Sequence, residues 1–216
     1  GVDGNSVAGK RADEISDLIR GEANTKVKLT IIRNTEQQEV EVERANVDSA
    51  VTSEIRDNDG KKFGYVKINT FGSTTADDIE AALQTFTAEK IDTLVLDLRD
   101  NGGGYLTAAT DVLSLFMKED KLLFQMETKN GAIEKYKAKD CQKYNFINGY
   151  IIVNGNTASA SEVVAGALQE KMNYKLVGDQ TYGKGTAQTQ KQLSDGSVLK
   201  YTYAKWLLPS GTWING

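Results

Sequence analysis

Two short strings carry residue types that can do acyl-transfer chemistry: Thr157-Ala158-Ser159-Ala160-Ser161-Glu162 and, further on, Gly183-Lys184-Gly185. A serine among small residues at the start of a helix is accessible as a nucleophile. The amide that follows it faces the reacting group at the positive end of the helix. A serine hydroxyl needs a base, ordinarily histidine. The chain contains no histidine, so the base must be Lys, Asp, Glu or Tyr, and Ser–Lys pairing is an established variant. A lysine of ordinary pKa, about 10.4, keeps its proton at neutral pH. In this role Lys184 is therefore expected to be buried from water, which disfavours the charged form. Plainer readings exist for both strings. Ser-Ala-Ser-Glu suits a helix N-cap with Glu162 favouring the dipole, and Gly-Lys-Gly suits an exposed turn.

These residues need elements to hold them. The apolar run Tyr150–Val153 enters the small-residue turn, and Val163, Val164, Ala167, Leu168 and Met172 follow at helical spacing before a second short run, Lys175–Gly178. Upstream, Thr93–Leu98 is almost wholly apolar, as in a strand buried on both faces. It runs into Arg99-Asp100-Asn101-Gly102-Gly103-Gly104 and a helix carrying Ala109, Val112, Leu113 and Phe116. Glycine loops between strand and helix can hold phosphate, but neither GxGxxG nor GxxxxGK[ST] is present. Asp97 and Arg99 read as a structural pair.

The rest of the chain reads in order. Residues 1–44 form a helix (Ala12–Arg20, stopped by Gly21) and two strands (Lys26–Arg33 and Gln38–Glu43). Arg44–Asp59 reads as a connector in which Val47, Val51 and Ile55 alternate. Phe63–Phe71 is a strand, followed by a helix with Ile79, Leu83 and Phe86 inward and a Thr75/Asp78 capping box. A type I′ hairpin is expected about Asn130-Gly131, a second hairpin about Asp195-Gly196, and a last turn at Pro209-Ser210-Gly211. Strands alternating with helices argue for an α/β layered domain.

TASASEVVAGAL followed by GDQTYGKGTAQ resembles the active-site region of the C-terminal processing (tail-specific) serine peptidases. VLDLRDNGGG resembles their DLR-N-x-GG segment, LSDGSVLKYTYAKWLLPSG their closing strands, and GVDGNSVAGKRADEISDLIRG…VKLTIIR the second half of their PDZ domain. Ser159 and Lys184 stand 25 residues apart, as in that family. The resemblance implies a crotonase-like ββα superhelix in residues 45–216 as the peptidase core, with a partial PDZ domain in residues 1–44. It implies a Ser159–Lys184 dyad, Gln188 as the residue orienting the lysine, and an oxyanion hole from the amides of Gly103, Gly104 and Ala160. Ser161 competes for the nucleophile's role, and spacing and family position favour Ser159. Proline is frequent in the family where this chain has Gly102.

Size and charge bound the alternatives. The 216 residues, 39% hydrophobic and 26% charged, suit one sizeable domain plus a small one. No run reaches the ~18 apolar residues of a membrane span. The net charge of −4 gives no basic stripe for nucleic acid. A single cysteine, Cys141, and no histidine argue against zinc, and no cofactor is expected. The expected partners are protein or peptide substrates with free C-termini. A homo-oligomer is left open, and membrane anchoring would come only through parts outside this sequence, which reads as an excised piece. The resemblance places the activity in the cell envelope or otherwise outside the cytoplasm. The competing class is a catalytically idle peptide- or ligand-binding scaffold of the same fold, against which the joint presence of Ser159, Lys184 and Gln188 argues. An acyl-CoA enzyme of the crotonase type is more remote.

Overall fold

The structure, a computed structural model, describes residues 1–45, 49–141 and 143–215, apart from the side chain of Asp13. The chain divides into two compact units, Gly1–Asp48 and Ser49–Gly216. In the first, α1 (Ala12–Ile19) accompanies a hairpin of β1 (Lys26–Arg33) and β2 (Glu36–Glu43), in register from Lys26↔Glu43 to Arg33↔Glu36. Arg44 closes this unit: its Nε donates to the Ile19 carbonyl at 2.7 Å and its Nη1 to Thr25 Oγ1 at 3.0 Å.

The second unit is built on a five-stranded sheet in the order β3-β4-β5-β8-β9. Its strands are β3 (Val51–Asn58), β4 (Lys61–Ile68), β5 (Thr93–Asp97), β8 (Asn148–Val153) and β9 (Lys175–Gly178). All neighbours are parallel except β3 and β4. Parallel neighbours need crossover connections, which α2 (Thr75–Ala88), α3 (Leu106–Ser114) and α4 (Ala160–Met172) supply. A second sheet, ordered β10-β11-β6-β7, joins β6 (Leu122–Thr128), β7 (Ile133–Lys137), β10 (Thr186–Gln192) and β11 (Val198–Leu207). One hydrophobic core serves both, with Ile79, Leu83, Leu94, Leu96, Val112, Leu113, Leu123, Phe124, Ile151 and Val163 fully buried. The α/β class and the central buried strand at Thr93–Asp97 agree with the sequence.

Three local expectations fail, each for a visible reason. The stretch read as a connector holds β3, which pairs with β4 through Asn58↔Lys61 across Asp59 (φ 53°) and Gly60 (φ 81°). That Asp-Gly turn is a hairpin signal in its own right; Val47 of the same stretch lies outside the described residues. The capping box at Thr75 does not form. Thr75 is buried in the first helical turn, where its hydroxyl accepts from the Gly72 amide (2.8 Å) and donates to the Thr70 carbonyl (3.1 Å). The loop at Asn130-Gly131 is not type I′, which needs positive φ at both central residues. Only Gly131 (φ 77°) has it, and the Gly131 amide donates to the Thr128 carbonyl at 2.9 Å, closing a four-residue turn before the left-handed glycine.

Candidate active site

Two loops leaving the carboxyl ends of adjacent parallel strands, β5 and β8, are tied together by Asn101. This residue is fully buried. Its Nδ2 donates to the Ile68 carbonyl (2.8 Å), and its Oδ1 accepts the Gly103 amide (2.9 Å). Its carbonyl accepts from the Ala158 amide (3.0 Å) and the Ser161 hydroxyl (3.0 Å). Thr157, also fully buried, adds a hydroxyl donation to the Leu98 carbonyl at 2.8 Å. Periodicity and turn chemistry did not single out Asn101 or Thr157, although Asn101 falls on the Asn of the DLR-N-x-GG resemblance. The Ile68, Ala158 and Leu98 backbone groups they bind are far away along the chain.

Between these anchors Ser159 takes φ 60°, ψ −119°, at the N-cap of α4. A side-chain-bearing residue adopts that conformation at a cost of about 1–3 kcal/mol, which surrounding bonds must offset. The Glu162 carboxylate is what offsets it. Glu162 is only 4% exposed. Its Oε2 accepts the amides of Ser159 (2.7 Å) and Lys184 (2.9 Å), and its Oε1 accepts the amide of Gly183 (2.6 Å). One carboxylate therefore joins the serine's turn to the lysine's loop. The sequence signal was present, since Glu three residues after the N-cap is the capping-box spacing. Its reach to residues 183 and 184 was not.

The lysine's own loop is equally constrained. The Gly185 amide donates to the Gly183 carbonyl at 2.9 Å, a three-residue turn centred on Lys184. The Gly185 carbonyl accepts from the Trp206 amide (2.9 Å) and from Trp213 Nε1 (2.8 Å). A Cβ at Gly185 would lie 1.2 Å from the Ile214 carbonyl oxygen, so no side chain fits there. With both neighbours fixed, the Lys184 side chain projects outward and is exposed. This corrects the expectation that it would be buried: the turn directs it into an open cleft, not into the core. Among the described residues Ser159 Oγ and Lys184 Nζ are not hydrogen-bonded to each other.

That cleft, about 590 Å³, is lined by Ser159, Lys184 and Gln188 together with Leu106, Ala187 and Trp206. Gln188 sits at a bulge in β10, and its amide nitrogen meets Thr202 Oγ1 at 3.5 Å. The structure thus brings the three expected side chains to one cleft, while the glutamine's recorded partner is a threonine on β11. Ser161 is different. It is fully buried, and its hydroxyl is taken by the Asn101 carbonyl.

The expected oxyanion donors divide in the same way. Gly103 (φ 105°) and Gly104 (φ 146°) hold backbone that L side chains avoid. A Cβ on Gly103 would fall 2.9 Å from Ser159 Cβ and 3.1 Å from the Ala160 nitrogen, so this loop lies directly against the serine. The Gly103 amide is already given to Asn101. Among the described residues the amides of Gly104 and Ala160 have no partner.

Asp97 and Arg99, at the foot of the same loop, pair as expected. Arg99 Nη2 lies 2.5 Å from Asp97 Oδ2, and the Tyr65 hydroxyl donates to the same oxygen at 2.6 Å. Burial alone would raise the Asp97 pKa. The hydrogen bonds from Arg99 and Tyr65 outweigh it and hold the carboxyl at about 2. Asp97 is fully buried and shaped for support.

Comparison with known proteins identifies the family. The model of peptidase family S41 matches residues 62–216. The chain is 38% identical over 216 residues to the carboxy-terminal processing protease CtpA of Bacillus subtilis (strain 168), covering 99% of this chain and 46% of that protein. Among solved structures, the photosystem II D1 C-terminal processing protease superposes with a TM-score of 0.73 at 31% identity, covering 100% of this chain and 59% of that one. The chain thus spans less than two thirds of the length of either. The family match takes in every residue that lines the cleft, and on that footing the chain belongs to peptidase family S41, as the resemblance to C-terminal processing serine peptidases implied.

Proposed function

We propose that this chain carries the catalytic centre of a serine endopeptidase that uses a Ser159–Lys184 dyad. The observation that carries the reading is the Glu162 carboxylate, which holds the backbone of both dyad members against one cleft. Ser159 Oγ attacks the scissile carbonyl carbon while the neutral Lys184 amine takes the hydroxyl proton. The C–N bond then breaks, and Lys184 returns that proton to the leaving amine, giving an acyl-enzyme that water hydrolyses by the same relay. The amides of Ala160 and Gly104 are the proposed oxyanion donors, each worth about 3–4 kcal/mol in the transition state. In this reading Gly103 keeps its amide on Asn101 and shapes the loop. Gln188 orients the amine once substrate is in place.

The proposed substrates are unfolded or tail-exposed proteins with free C-termini, cut near that end. Residues 1–44 as part of a PDZ domain, and a location in the cell envelope, complete the proposal; both rest on the family resemblance. The test follows degradation of an unfolded protein from pH 5 to 10 by the wild type, Ser159→Ala and Lys184→Ala. Loss of activity in both variants, with a rising alkaline limb in the wild type, is the expected result. A wild type inert toward unfolded chains would move the idle-scaffold reading to the front.

A further inference from the structure

A second cavity, of about 410 Å³, opens away from the cleft. Both helices that begin beside the active site end at it. α3 starts at Leu106, in the cleft, and is followed by Phe116 and Met117 of the cavity; α4 starts after Ser159 and closes with Lys171 and Met172. Thirteen residues of α4 put the two sites about 20 Å apart.

The cavity combines two chemistries. Phe116, Met117 and Tyr144, each buried, and half-buried Met172 give it an apolar surface. Lys118, Lys121, Lys143 and Lys171 also line it, and no carboxylate stands among its described lining residues. None of the four has an ion-pair partner among the described residues. Lys143 is steered by neutral groups, donating to the Lys139 carbonyl (2.8 Å) and to Cys141 Sγ (2.9 Å). The phenol of Tyr144 is satisfied by Glu80 on α2 at 3.2 Å. The carboxyl ends of two helices contribute about −0.5 charge each, which one lysine offsets. The excess is strongly positive, on a chain whose net charge is −4.

We propose that this cavity binds an aliphatic monocarboxylate, a fatty-acid-like molecule whose chain lies on Phe116, Met117 and Met172 and whose carboxylate meets the lysines. The volume is within the range of small-molecule sites, about 300–1,000 Å³. It is small enough to favour a single chain over a folded peptide segment. The chain has three methionines, and two of them, Met117 and Met172, line the cavity; Met126, buried on β6, does not. That arrangement supplies an internal control.

The test titrates decanoate, below its micellar range, into the 216-residue chain carrying ¹³C-methyl methionine. Saturable shifts of Met117 and Met172 with Met126 unmoved are expected. Decanol should bind more weakly, and added salt should weaken decanoate but not decanol. The exposed pair Lys121→Glu with Lys171→Glu should lower decanoate affinity by roughly five- to tenfold without changing the Met126 resonance. Decanol binding as tightly as decanoate would overturn the proposal. So would shifts of all three methionines together, no saturable shift, or equal response to a short acidic peptide lacking an alkyl chain.

Discussion

Replacing Glu162 by glutamine is the most informative single change, because it keeps shape and removes one acceptor. The carboxylate receives three amides, two on Oε2 and one on Oε1. A glutamine offers one oxygen and turns an NH2 toward the other side. If the oxygen faces Ser159 and Lys184, the Gly183 amide confronts a donor; if it faces Gly183, two amides do. Each buried amide left without an acceptor costs about 1–3 kcal/mol, so Glu162→Gln, in the orientation that loses only one amide, should destabilise the chain by about 1–3 kcal/mol. The loss falls on the backbone that sets the serine's φ of 60° and the lysine's turn. Denaturant unfolding gives the first number, and peptide hydrolysis under conditions where the variant is fully folded gives the second. The expected kinetic result is a fall in kcat of at least tenfold with KM little changed, since substrate-lining side chains are untouched. A variant as stable as the wild type with unchanged kcat would refute the idea that this carboxylate holds the site together.

Two further outcomes follow from geometry away from the reacting atoms. Asp97 has its folded-state pKa depressed from 3.8 to about 2. Its contribution is therefore fully present above pH 4 and lost as pH falls toward 2. That amounts to about 2 kcal/mol at ~1.4 kcal/mol per tenfold change. The difference in unfolding free energy between wild type and Asp97→Asn should shrink over that range, and a difference constant from pH 6 to 2 would contradict the assignment. Gly185→Ala puts a methyl 1.2 Å from the Ile214 carbonyl oxygen, so the closing segment must move. The expected result is a loss of about 3 kcal/mol or more together with loss of hydrolysis, read by thermal unfolding and by activity. An alanine variant with native stability would show that this contact does not constrain the loop.

Much of this architecture was legible from local pattern. The apolar run at Thr93–Asp97, the helix behind Ser159 and the hairpins of the second sheet all follow from periodicity and turn residues, which are properties of neighbours in sequence. The misread elements were those where a polar strand, β3, depends on pairing rather than on its own residues, and where turn type depends on which residue goes left-handed. At the site, residue types picked out Ser159 and Lys184, and the family resemblance added their pairing and Gln188. Of the supports, only the local bonds were legible, such as Glu162 to the Ser159 amide. The long-range ones, Asn101 to the Ala158 amide and Glu162 to the amides of Gly183 and Lys184, depend on the parallel pairing of β5 with β8 and on the return of residues 183–185. The exposure of Lys184 matches the plainer reading of Gly-Lys-Gly as an exposed turn, but its structural cause was not legible. The exposure depends on the closed three-residue turn and on Trp206, Trp213 and Ile214 packed behind Gly185.

The central claim is that Ser159 is the nucleophile and Lys184 its base. An active-site phosphonofluoridate probe, followed by peptide mass spectrometry, tests it without reference to any natural substrate. The account predicts a single adduct on Ser159, unchanged in Ser161→Ala and lost in Lys184→Ala, with the labelling rate rising with pH. An adduct on Ser161, or undiminished labelling of Ser159 in Lys184→Ala, would contradict it.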